Sequence, residues 1–364
     1  MSCPSNNLRP VQRGAALVVA MLVFALVAAL MVGLQRDFTL TLQRGTQHLF
    51  SEQAWAYMMG AEYLAQLALR EDSLIDARAD SPSDHLGELW AQPPTPYPLE
   101  AGGWMRGRIE DLQGRFNLNW LPEPTAVGSS NISAGESGGD GLADNARAPS
   151  AVNESPERWT PGQKFLIRLL QTFGEDAMDL EQAMALTEAI TDFIDRDAER
   201  RQRGAESDEY RYSDFPYLPA NRPLASISEL RAVQGMTAPV YEALAPLVTV
   251  WPDTPSRINI LTCPLPVLRS LNGDDQLAPL PEIEGQRLEA LRREGEISEV
   301  EDLLKDPAFG GQDLAELEPM LGVKSDWFLL DATVELVENE RHLFSVLHRR
   351  SQGAVAVFRS EGEL

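Results

Sequence analysis

QRGAALVVAMLVFALVAALMVGLQRD, Gln12 to Asp37, decides how this chain is read. Between Arg13 and Arg36 it carries no charged side chain. As a helix rising about 1.5 Å per residue, the twenty residues from Ala15 to Leu34 would span roughly the 30 Å hydrocarbon core of a bilayer. A secretory signal peptide has a shorter apolar region ending at a small-residue cleavage site. This run continues past that length into another helical stretch, which argues that it is retained. The basic leader would then lie on the cytoplasmic side of the membrane and Phe38 onward on the opposite side.

Working outward, Leu49, Ala56, Met59, Tyr63, Leu67 and Leu74 recur at intervals of three, four and seven, which predicts one face of a helix. One helix is predicted from Ala15 to about Ala77, roughly 90 Å long and too long for a compact domain, so its first half must project. Gln92-Pro93-Pro94-Thr95-Pro96 ends the helical region. Trp104 to Asp111 reads as a strand, and Gly114 to Trp120 as a tight turn with a short second strand. From Pro122 to about Arg158 the composition collapses to Gly, Ser, Ala, Asn and Glu, the signature of a disordered insertion.

Helical periodicity returns from Phe165 to Asp195 and again after Ser226 or Ser228, either of which could cap a helix. Ile227-Ser228-Glu229-Leu230 and Ile297-Ser298-Glu299-Val300 lie seventy residues apart in similar surroundings, a weak repeat of short helices. At the C-terminus Leu330, Ala332, Val334 and Leu336 alternate with Asp331, Thr333, Glu335 and Val337, the period of a half-buried strand. Strands at His342 to Arg349 and Ala354 to Arg359 would complete a meander. The expected class is α+β: one antiparallel sheet with a mostly helical domain inserted between its strands.

The 364 residues carry a formal charge of −24, spread along the chain, so nucleic acid and anionic lipid headgroups would both be repelled. Cys3 and Cys263 are the only cysteines, and loss of a leader leaves a single thiol. The four histidines, His48, His85, His342 and His348, are scattered, and no activated serine or cysteine signature is present. No enzyme is expected.

The chemistry-bearing stretch is Asp192-Phe193-Ile194-Asp195-Arg196-Asp197, followed by Gly204-Ala205-Glu206-Ser207-Asp208. Asp195, Asp197, Glu206 and Asp208 crowd four carboxylates into fourteen residues, which suits a hard ion that wants six to eight oxygens. Asp195, Asp197, Glu199 and Glu206 match EF-hand positions one, three, five and twelve, but Arg200 stands where that loop needs glycine. An acidic loop paired by Arg196, Arg200, Arg201 and Arg203 is the other reading. Ile258-Asn259-Ile260-Leu261-Thr262 resembles the entry to a helix-hairpin-helix module. Its companion around Glu296 to Asp302 is acidic where phosphate would lie, so a scaffold is expected.

At Arg13-Gly14, followed by Ala15-Ala16-Leu17-Val18, the chain resembles type IV pilin-like proteins. In them a prepilin peptidase cuts after glycine, the new terminus is methylated and the apolar helix is kept. The cut would fall between Gly14 and Ala15. The glutamate usual at the fifth mature position is replaced by Val19. A buried carboxylate is kept only where a neighbouring subunit's amine offsets it, so Val19 suits the end of a filament.

Together with Ser51-Glu52-Gln53-Ala54-Trp55, Gly114-Arg115-Phe116-Asn117-Leu118-Asn119, the acidic motif, Asn221-Arg222-Pro223 and Ile258-Asn259-Ile260, these features resemble in order the K class of type II secretion minor pseudopilins, general secretion pathway protein K. Ser207 departs from the usual acid of the Gly-Ala-Glu-Asp motif, and Leu261-Thr262-Cys263 from the usual Asn-Thr-Ala. The resemblance implies a pilin-like fold with bound calcium. Its implied partners are I and J class minor pseudopilins, the H class and major pseudopilins, prepilin peptidase and the inner membrane, without nucleic acid. It also implies a place at the tip of a periplasmic filament. The expected parts are a leader at 1–14, a membrane and filament helix at 15–36, and a pilin-like stem at 37–121. The insertion at 122–158, a helical domain at 159–325 and C-terminal strands at 326–364 follow. A minor pilin of a type IV pilus and a membrane-tethered DNA-binding protein are the alternatives.

Overall fold

The computed structural model describes residues 13–79, 81–100, 102–122, 156–174, 177–212, 216–336, 339–351 and 353–362. Nearly all of the leader and of the insertion expected at 122–158 lies outside these residues. The described end of that insertion is a 3-10 turn at Pro156–Arg158, and Arg158 pairs with the buried Glu188.

The first element is the helix α1, Arg13–Asp76, 64 residues long. At about 1.5 Å per residue it extends roughly 96 Å. The large apolar side chains of its membrane-length run, from Leu17 to Leu34, are exposed. After it come the strands β1 (Tyr97–Pro98) and β2 (Trp104–Asp111). The inserted region then contributes β3 (Phe116–Asn117), α2 (Pro161–Leu170), α3 (Leu180–Ile194), α4 (Ser207–Arg211), α5 (Ala238–Leu244), β4 (Val248–Thr249), β5 (Ile258–Asn259), α6 (Leu265–Arg269), α7 (Glu282–Glu294), α8 (Val300–Leu304) and β6 (Leu321–Gly322). The chain closes with β7 (Trp327–Leu336), β8 (Asn339–Arg350) and β9 (Gly353–Ser360).

The fold is α+β as expected. Five strands in the order β1-β2-β7-β8-β9 pair antiparallel, and β2 is joined to β7 across the whole inserted region. The alternation read at Leu330, Ala332, Val334 and Leu336 is the face that packs on α1. The helix meets it with Ala54, Met58, Ala61, Ala65 and Leu69. Each large side chain buried there contributes about 1.5–3 kcal/mol. Alanines let helix and sheet approach closely. Glu62 also faces the sheet. It survives burial because Arg359 bonds both of its oxygens, at 2.6 and 2.8 Å, and the Ser345 hydroxyl donates to it at 2.8 Å.

The helical spacing read at Leu49, Tyr63, Leu67 and Leu74 marks a different face, whereas Met59 of the same series packs half-buried against the sheet. All four remain exposed, Tyr63 by 68% and Leu49 by 66%. The sheet-facing residues repeat at three and four as well, but the alanines among them carry little apolar weight in a sequence pattern.

The predicted helix from Phe165 to Asp195 divides into α2 and α3. Each opens with a capping box, Thr160 with Gln163 and Asp179 with Gln182, so each supplies its own start signal. Gly114 to Trp120 holds only two strand residues, Phe116 and Asn117, between 3-10 turns, and the stretch after Ser226 is a 3-10 turn rather than an α-helix. Phe116 stacks on Phe165 with ring centroids 4.5 Å apart, and around this pair the inserted region builds the larger of the hydrophobic clusters. Cys263 is fully buried in it, a small core residue.

The direction of the insertion follows from two contacts. At one end of β8 Arg341 lies beside Ser51 of α1, and at the other Arg349 reaches Asp72, near the end of the helix farthest from the apolar run. β2 leaves the sheet at Asp111 and β7 enters it at Trp327, whose partner is His348. The inserted region therefore grows from the end of the sheet farthest from the apolar run of α1. A buried polar joint holds it there. Asp111 Oδ2 accepts from Ser325 at 2.6 Å, Thr262 at 2.5 Å and the Asn259 amide at 3.0 Å. The Asn259 side chain is wholly buried, so the hairpin-like stretch at Ile258 to Thr262 serves as scaffold.

Candidate metal centre

Asp192 and Asp195 leave the C-terminal end of α3, where the helix dipole is negative and carboxylates are disfavoured unless a cation answers them. The loop that follows carries Asp197, then turns at Gly204 and Ala205 to present Glu206, the N-cap of α4. Asp195, Asp197 and Glu206 each bring a carboxylate oxygen within 4.8 Å of the others. Asp208 does not join them. It sits in the first turn of α4 with its side chain 83% exposed, 4.0 Å from Arg211.

Several carboxylate oxygens in the centre are already engaged. Arg201 donates from one guanidinium nitrogen to Asp192 Oδ1 at 2.7 Å and to Asp195 Oδ2 at 2.5 Å, and its backbone N–H donates to Asp192 Oδ2 at 3.1 Å. Asp197 Oδ1 accepts from the Glu199 N–H at 2.9 Å. Glu206 Oε2 accepts from the Ser207 N–H at 3.3 Å. Two buried oxygens are left over: Asp195 Oδ1 and Glu206 Oε1 have no hydrogen-bond partner. Orphaned carboxylate oxygens in a dry pocket are costly, and here they belong to two of the three converging acids. A cation would satisfy both.

The protonation equilibria express the same excess of negative charge. Burial, reinforced by Asp192, Asp195 and Asp197, pushes Glu206 up to about 7. Burial pushes Asp192 up to about 6 against the pull of Arg201, and it raises Asp195 as well. The donor set is all oxygen, with no histidine or thiolate, which selects a hard ion such as calcium rather than zinc or copper.

Two residues outside the four expected ligands shape the site. Asp192 takes bonds from Arg201, and a Cβ at Gly204 would run into its Oδ2, so a side chain there would have to displace the Asp192 carboxylate. Asp192 precedes Asp195 by three residues, the spacing that shares a helix face, and that signal was present in the sequence. Asn221 holds a left-handed backbone at φ 44° and donates its side-chain amide to the Asp197 carbonyl at 3.0 Å, fastening the loop. A second acidic group, Asp72, Asp84 and Glu88, is bonded by Arg349, the Ser325 N–H and Trp90, so it already holds a cation of its own.

A long helix with an exposed apolar end, laid on a short antiparallel sheet, defines a pilin-like subunit. A family model described as type II secretion system (T2SS), protein K, matches residues 114–253. Type II secretion system protein K of Pseudomonas aeruginosa is 30% identical over 95% of this chain and 91% of its own. The Klebsiella pneumoniae protein of that name is 30% identical over 93% and 96%. Among solved structures, a chain from the crystal structure of the GspK-GspI-GspJ complex of enterotoxigenic Escherichia coli aligns with TM-score 0.65 and 27% identity, covering 88% of this chain and all of that one. The chain belongs to the type II secretion system protein K family.

Proposed function

We propose that this chain is the minor pseudopilin that initiates and caps the periplasmic pseudopilus, in complex with I and J class minor pseudopilins, for export of folded proteins across the outer membrane. The observation that carries the reading is the position of the inserted region. It rises from the sheet end farthest from the apolar run, where a subunit stacked above would have to sit. Val19 agrees with this: with no carboxylate there, the helix needs no neighbouring amine to neutralise it. The choice of partners is supported by the aligned crystal structure, a complex in which GspK is joined by GspI and GspJ.

In this proposal the leader is removed by prepilin peptidase between Gly14 and Ala15. The methylated Ala15 begins a single inner-membrane helix, and the remainder lies in the periplasm. The H class and major pseudopilins follow below the tip. Calcium is held by Asp195, Asp197 and Glu206, neutralising the end of α3 and fastening the loop to α4. Asp208 stays outside this set. Immunogold labelling of pseudopili with an antibody to the inserted region tests the placement. Label confined to one end of each filament is expected, and label along the shaft would overturn it.

A further inference from the structure

Arg203 lies in the loop between α3 and α4, with its side chain only 12% exposed. Its backbone N–H donates to the buried Glu188, but Nη1 and Nη2 of its guanidinium are buried without a hydrogen-bond partner. Among the described residues its ion pair is with Glu181, 3.7 Å away on a side chain 75% exposed, and a contact so long and so wet contributes little. Other buried arginines are bonded within the chain. Arg168 donates to the carbonyls of Ser270, Gly273 and Gln276, and Arg292 to those of Ile260 and Cys263. A guanidinium withdrawn from water with no acceptor is costly, which makes Arg203 the exception to be explained. It lines a groove of about 510 Å³ between α3 and α5. Met178, Leu186 and Val240 give that groove an apolar wall, and the exposed Gln182 and Gln234 stand on its rim.

We propose that this groove binds an acidic peptide segment of a second protein, one carboxylate meeting the Arg203 guanidinium and a neighbouring apolar side chain packing on Met178, Leu186 and Val240. The planar fork of an arginine matches a carboxylate with two parallel hydrogen bonds, and no hydrogen bond of this guanidinium has to break for it to turn to a guest. Charge selects the guest further. A single cation recognises a single carboxylate, whereas a polyanion such as nucleic acid is repelled by the formal charge of −24. The volume falls within the range of roughly 300–1,000 Å³ usual for ligand pockets. The carboxamides of Gln182 and Gln234 can both donate to and accept from a peptide backbone, groups that a free carboxylate lacks. Arg203 also precedes Gly204, so the groove and the acidic centre share one loop. The site needs no I or J class subunit and stands apart from the placement at a filament tip.

The test titrates the full chain, in detergent with calcium present, into a set of fluorescently labelled hexapeptides and reads anisotropy. Each peptide is amidated at its C-terminus and carries one leucine and one glutamate among alanines, in every relative position. At least one is expected to bind, and glutamine in place of its glutamate should weaken binding about tenfold or more. Serine in place of its leucine should weaken binding less. Arg203→Met should erase the preference for glutamate without lowering the melting temperature, because the guanidinium makes no hydrogen bond in the free chain. Glu181→Gln should tighten binding by removing a competing carboxylate. The proposal is overturned by binding from no peptide, by a glutamate preference that survives Arg203→Met, or by a marked loss of stability in that variant. Butyrate bound as tightly as the best peptide would reassign the groove to small carboxylates. Peptide binding seen only after deletion of 123–155 would give the groove to this chain's own segment, and either result would also overturn a partner peptide.

Discussion

Arg349, near the end of β8, reaches Asp84 at 2.5 Å and extends its other nitrogen to Asp72 at 2.7 Å, joining the end of the long helix to the segment beyond it. All three side chains are buried. Removing one partner of such a group leaves charge with no answer, which costs about 3–5 kcal/mol. Arg349→Ala is therefore expected to destabilise the chain by that amount in urea denaturation, and Arg349→Lys by less. A change under about 1 kcal/mol for the alanine variant would show that the carboxylates find another partner or a proton.

Glu88 lies against the same joint, with its side chain 12% exposed and Trp90 donating to it. Burial, with Asp72 and Asp84 nearby, pushes it from the ordinary 4.5 up to about 8. Between those values the folded chain holds a proton that the unfolded chain has released. The contribution to stability is complete below 4.5 and is lost as pH rises through about 8. Melting temperature at saturating calcium should therefore fall from pH 6 to pH 9, and Glu88→Gln should flatten that fall. Parallel profiles for the two proteins would exclude Glu88 as its source.

How much of this was legible in the sequence depended on how local each signal was. Leu330 to Leu336 alternates because one face of β7 is buried, and that pattern survives in the letters. The sheet-facing side of α1 did not, because alanine at 54, 61 and 65 is chosen for closeness rather than hydrophobicity, while the louder strip at Leu49 to Leu74 faces outward. Asp195, Asp197 and Glu206 could be grouped because one loop carries them. Asp208 was grouped by the same logic, but the first turn of α4 rotates it away from the others. The joint at Arg349 was invisible, since its partners lie 277 and 265 residues away and only the topology of the sheet unites them.

The acidic centre makes a prediction that separates its members. Calcium restored after chelation should raise the melting temperature of the full chain. The stabilisation should be about 2.7 kcal/mol when free calcium is a hundredfold above its dissociation constant. Asp195→Asn and Glu206→Gln should each weaken or abolish the response, and both should be less destabilising without calcium because they relieve repulsion among buried acids. Asp208→Asn should respond like the unaltered chain. A calcium response that survives the Asp195→Asn, Glu206→Gln double variant would place the ion elsewhere.

The last prediction concerns the start of α1, which crosses Gly14 and Ala15 without a break in the backbone helix. A peptidase that cuts after glycine needs close access to the backbone there, and a β-branched residue both crowds that approach and stiffens the helix. Gly14→Val should keep the leader attached, so that mass spectrometry of the membrane-extracted chain finds Arg13 still present and no N-methylated Ala15. The unaltered protein should begin at methylated Ala15. If its terminus instead lay beyond Leu34, the apolar run would have been discarded, and the membrane anchor could not exist. If Gly14→Val matured normally, cleavage would be independent of that glycine, and the assignment to prepilin peptidase would fall while the fold and the secretion family stood.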